Sequence, residues 1–132
     1  IVIYICKSYN KSKNMIPNGK WTKDWQIREN TSREKKIADD LIKVFIDFWK
    51  HQGIDEKSKT TKSRYSGALH SIGGHLVEQA ISDDGADKSA QELLSEHIGP
   101  NDGPLICRDN ETWQNEIDMV SRKLHNYLKT KC

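Results

Sequence analysis

The stretch "SREKKIADDLIKVFIDFWKHQG", residues 32–53, limits the fold more than any other part of the chain. Ile37, Leu41, Val44, Phe45 and Phe48 recur at three- and four-residue steps, the period of an α-helix and not of a strand. Ala38, Ile42, Ile46 and Trp49 form a second stripe beside the first. An apolar arc this wide predicts a central helix, contacted from two sides. Ser32 or Thr31 is expected to cap it, and Gly53 to end it.

A second helix is expected through "SRYSGALHSIGGHLVEQAI", residues 63–81, with Thr60 or Thr61 as its cap. Tyr65, Ala68, Leu69, Ile72, Leu76 and Ala80 share one face, and Val77 and Ile81 widen it. Gly73 and Gly74 interrupt the pattern, each at a cost of about 1 kcal/mol relative to Ala. The compensation expected is close approach, with another helix packing backbone against backbone. Gly67 would extend that smooth strip. A kink at the pair or a direct ligand contact are the alternatives. Gly67, Gly73 and Gly74 are therefore expected helix-packing positions.

Ser89 and Glu92 have capping-box spacing, with Asp87 as the other cap for a short third helix carrying Leu93, Leu94 and Ile98. The turn "GPNDGP" and a brief extended "LIC" follow. Asp109 or Asn110 then opens a last helix in which Trp113, Ile117, Val120, Leu124 and Leu128 step by four, three, four and four. Upstream, residues 1–20 read as an irregular arm, and the first 14 as an extension before a start at Met15 or as part of a fragment. Trp21 and Trp25, four apart, fit a helical turn or two whose indoles cover the core. The fold class expected is all-α: a compact bundle of three long helices and one short helix over residues 21–132, with an irregular N-terminal arm.

With 132 residues, 35% of them hydrophobic and 30% charged, the chain has the size and polarity of one globular domain rather than a disordered segment. No apolar run approaches the ~20 residues that span a bilayer, so no membrane partner is expected. Cys6, Cys107 and Cys132 are an odd set without a CxxC pair. They fit neither a disulfide framework nor a zinc site, and point to a reducing, cytoplasmic setting.

Catalytic patterns are sparse. His70 and His75 lie five apart, ~140° around a helix, and do not converge on a metal. HExxH, GxSxG, GxGxxG and the phosphate loop are absent. Asp39–Asp40 and Asp83–Asp84 fall where solvated acids are the default, and Cys107 follows Leu105 and Ile106 as a small hydrophobe. The chain is read as non-catalytic, with no metal and no small-molecule cofactor implied.

Charge is unevenly spread. Residues 1–36 hold nine Lys/Arg against three Asp/Glu, and residues 65–102 hold one against seven. Such asymmetry fits an anionic partner, self-association through opposed patches, or two solvated faces that fold against each other. The segment "KSKTTKSR" carries Lys57, Lys59, Lys62 and Arg64 with no acid, and hydroxyls at Ser58, Thr60, Thr61 and Ser63. It opens a helix, so cations, hydroxyls and free N–H groups would face a phosphate together. A soluble connector is the plainer reading of the same residues.

The helix ending "FIDFWKHQGI", a polar linker and then "TKSRYSGAL" resemble the core-binding domain of tyrosine recombinases, the phage-type integrases. The matching residues are Gly53, Thr61, Tyr65 and Leu69, within a likeness over about residues 32–80. The Gly-to-Thr linker is longer here than usual in the family. The family's catalytic Arg, His-x-x-Arg and Tyr nucleophile have no counterpart. The resemblance implies DNA gripping by Lys59, Thr60, Thr61, Lys62 and Arg64, without recombination chemistry. Two functions are thus expected: a DNA-binding module contacting phosphates through Lys57–Arg64, or a protein-interaction or self-assembling module using the Gly67/Gly73/Gly74 strip, the Trp-bearing arm or the opposed charges.

Overall fold

The computed structural model describes residues 16–82, 85, 87–107 and 110–130. The expectations for residues 1–15, Asp83, Asp84, Asp109 and Cys132 lie outside them. The described residues form α1 (Trp21–Asp24), α2 (Thr31–His51), a 3-10 turn (Ile54–Glu56), α3 (Lys59–Ala80), α4 (Ala90–His97) and α5 (Glu111–Thr130), with no strand among them. This is the all-α compact bundle of three long helices and one short one, with a single extra turn in front. No helix among the described residues is long and apolar enough to cross a membrane.

Helix α2 starts one residue earlier than its pattern implied. Asn30, not Thr31 or Ser32, is the cap, and its side chain accepts the Arg33 N–H. The reason lies in the preceding loop. Glu34 is buried, and its carboxylate accepts the N–H groups of Ile27, Arg28, Glu29 and Asn30 at 2.7–3.0 Å. Arg28 takes a left-handed φ of 68° to wrap the loop around it. That conformation costs a side-chain-bearing residue roughly 1–2 kcal/mol, and the four charge-assisted bonds offset it. At the other end Gly53, with φ 62°, closes the helix in the region glycine occupies freely.

Helices α2 and α3 run antiparallel. Arg33, near the start of α2, donates to the Ala80 carbonyl that ends α3, while Phe48 near the end of α2 meets Tyr65 near the start of α3. Helix α5 also packs on α3, and its Tyr127 ring touches Phe48 and His51. Helix α4 lies against α3 and, more lightly, α2.

The central helix is α3, a correction to the expectation that α2 would be. Residues 65–74 are buried without a break, including Ser66, Gly67, His70, Ser71, Gly73 and Gly74. Val44 and Ile46 of α2 are only partly covered. A wide greasy arc marks a helix that covers much apolar surface. A helix surrounded on all sides instead needs small side chains, so that its neighbours can come close. The segment 105–107, expected to be extended, pairs with no strand. The Gln114 side chain of α5 accepts the Ile106 and Cys107 N–H groups and donates to the Pro104 carbonyl.

Candidate functional site

Helix α3 begins at Lys59, so the basic segment straddles its start. Ser58, and neither Thr60 nor Thr61, is the cap: its hydroxyl accepts the Thr61 N–H at 3.2 Å and donates to Thr61 Oγ1 at 3.0 Å. Thr61 is thereby tied into the cap and half-buried. Lys57, Lys59, Thr60 and Arg64 are exposed, and Lys62 is half-buried. The Lys62 N–H bonds the Ser58 carbonyl, which leaves the amides of Lys59 and Thr60 as donors ahead of the ladder. Ion pairs among the described residues involve Lys35, Lys36, Lys88 and His70, and none of the four cations of this segment. Asp55 just upstream accepts the Trp49 indole N–H at 2.8 Å. Arg64 acts on Glu116 of α5, whose carboxyl is nonetheless held above the usual range by burial.

Gly67, Gly73 and Gly74 are all buried inside the chain's own fold. The neighbour that needs Gly73 bare is a side chain, not a helix backbone. A Cβ there would run into the six-membered ring of Trp25, with Cε2 at 2.9 Å and Cζ2 and Cη2 closer still. The Trp25 indole N–H also donates to the His70 carbonyl at 2.9 Å. Gly73 is therefore a seat for Trp25, and the buried strip offers no open face to a second molecule.

Besides His51, whose ring meets Tyr127, three more histidines find partners. His70 Nε2 meets Asp24 Oδ2 at 2.9 Å, and the ring lies against Trp21 and Trp25. Burial lowers its pKa, opposed by the hydrogen bond to Asp24 and its charge. This contact fastens α1 to α3. His75 of α3 and His97 of α4 come together with ring centroids 5.3 Å apart, a pairing across helices that the spacing of His70 and His75 along one helix leaves open. Burial is the first cause that depresses both: His75 is pushed down to about 4 with help from His97, and His97 is lowered against the charge of Glu96. The position of His97, three and four residues after the buried Leu94 and Leu93, is the signal that marks it as inward-facing.

Among the described residues, no group of three or more His, Cys, Asp or Glu side chains converges as a metal site. Asp39 and Asp40 are each paired with the lysine one turn earlier. A groove of about 500 Å3 lies between α2, α4 and α5, with Val44, Leu94, Ile98 and Leu128 as its apolar lining and Lys129 and His125 beside them. No pattern in the sequence located it, because its walls come from three helices. Comparison with protein-family models, curated proteins and solved structures found no match to this chain.

Proposed function

We propose that this chain is a small helical nucleic-acid-binding module that grips DNA phosphates through Lys57–Arg64, acting without catalysis in a reducing compartment such as the cytoplasm. One arrangement supports the reading. Lys57, Lys59, Lys62 and Arg64 share the start of α3 with the exposed Thr60 hydroxyl and the open amides of Lys59 and Thr60; the segment itself holds no carboxylate, and of its four cations Arg64 acts on Glu116 of α5. Backbone phosphate is the anion that such a set of donors fits. The segment also lies within the stretch, about residues 32–80, whose Gly53, Thr61, Tyr65 and Leu69 resemble the recombinase core-binding domain.

The reading makes affinity steeply salt-dependent, because each neutralised phosphate releases a counterion. Replacing Lys59, Lys62 and Arg64 with Ala is expected to weaken binding on every DNA sequence. It should flatten the slope of log K against log salt by up to about 3, from roughly 0.9 per contact. Fluorescence anisotropy with a labelled duplex measures both. Binding and slope unchanged in the triple variant would remove the proposal.

The groove favours a second reading, a module that docks a helix from a protein partner or a second copy. Self-association through it gives a dimer in light scattering that Val44→Glu dissolves. A wild-type monomer at high concentration counts against self-association.

A further inference from the structure

The His75–His97 contact joins α4, a helix of eight residues, to the central helix α3. Both rings are half-buried. Two imidazoles in edge-to-face contact are compatible when neutral and repel when both are protonated. The other charged groups acting on the pair are on and just before α4. Glu96 favours a positive ring at His97 and Lys88 opposes one. Those two side chains bond each other at 2.6 Å, so much of their influence cancels. On α3 itself the next acid along the chain is Glu78, three residues beyond His75.

We propose that the His75–His97 pair is an acid-sensitive latch: it holds α4 against α3 at neutral pH, and its protonation releases α4. The helix carries Leu94 and Ser95 of the groove wall and leads into Ile98, so release opens the groove as well. The remaining ties are compatible with local release. Arg33 holds the Gly85 and Lys88 carbonyls ahead of α4 and keeps the connection anchored, while the helix beyond buries Ala90, Leu93, Leu94 and Ile98, so protonation raises the frequency of α4 opening and the closed state stays the major one.

The pH window follows from His75. Its folded pKa, about 4, lies below the ordinary 6.5, so the closed state binds fewer protons than the open one. Closure is complete above pH 6.5, weakens as pH falls from 6.5 to about 4, and changes little below that. Tenfold per pKa unit makes the limit for this ring ~300-fold in the opening equilibrium.

Amide hydrogen exchange, corrected for the intrinsic pH dependence of exchange, tests this on the full chain. Protection of residues 90–97 is expected to fall by ~60-fold between pH 7 and 4.5 through the His75 ring, while protection in α2 holds. In H75Q/H97Q that differential loss is expected to disappear. An NMR titration of the wild-type protein gives a check that needs no variant, with the His75 ring expected to titrate well below 6.5. A His75 pKa near 6.5, an α4 that loses protection only together with α2, or the same differential loss in the double variant would each overturn the latch.

Discussion

Gly73 and Trp25 show how one missing side chain decides a contact. The indole lies where a Cβ at Gly73 would stand, and its N–H reaches a carbonyl of the same helix. Gly73→Ala gains helix propensity of about 1 kcal/mol. It must also displace a ring that is buried and hydrogen-bonded, and overpacking of this kind costs typically ~1–3 kcal/mol. The expected result is a net loss of ~1 kcal/mol, read as a lower urea midpoint. Ser66, Ser71 and Ser121 bury their hydroxyls without a hydrogen-bond partner among the described residues, a desolvation cost for which the structure shows no compensating bond.

At the scale of elements, one side chain joins three segments. The Arg33 guanidinium donates to the carbonyls of Ala80, Gly85 and Lys88 at 2.6–2.9 Å, so a residue of α2 closes the end of α3 and sets where α4 begins. A cation at a helix C-terminus is also favoured by the helix dipole. Hydrogen bonds to a charged group are worth roughly 1.5–3 kcal/mol each, less what water supplies when they are lost. Arg33→Gln is expected to cost ~2 kcal/mol in urea denaturation. It should also reduce amide protection in the last turn of α3 and in α4 more than in α5. Equal losses in all helices would show that Arg33 acts only through global stability.

For the whole molecule, two ionisable groups, the buried Glu34 and the half-buried His75, shape acid stability over different ranges. His75 weakens the fold as pH falls from 6.5 towards 4. Glu34 acts lower. Burial tends to raise its pKa, but the four backbone N–H bonds outweigh that and hold the carboxyl below its ordinary value. Its stabilisation is therefore present above pH 4.5 and lost as pH falls through the lower folded value. Glu34→Gln cannot accept all four N–H bonds, so it is expected to cost ~2 kcal/mol at pH 7. The gap to wild type should narrow below pH 4.5 in a series of urea melts. A gap independent of pH would mean that the charge of Glu34 contributes nothing.

Local sequence determined the helix-rich class, the extent of α2, α3, α4 and α5 to within a few residues, and the Ser89–Glu92 capping box, and it offered Asp109 or Asn110 at the start of α5, where the Asn110 side chain accepts the Trp113 N–H. Those features depend on neighbours three or four residues apart, which a linear reading captures. The basic segment could be read in the same way, since charge and hydroxyl content are local. Tertiary structure decided what long-range contact decides. Glu34 lies on the apolar arc of α2, three residues before Ile37, yet only the loop folding back over it gives a buried carboxylate its partners. Which helix is central, what occupies the space above Gly73, and that His75 faces His97 all depend on distances between segments far apart in the chain. Periodicity places a side chain on a face of its own helix, and only packing determines what that face meets.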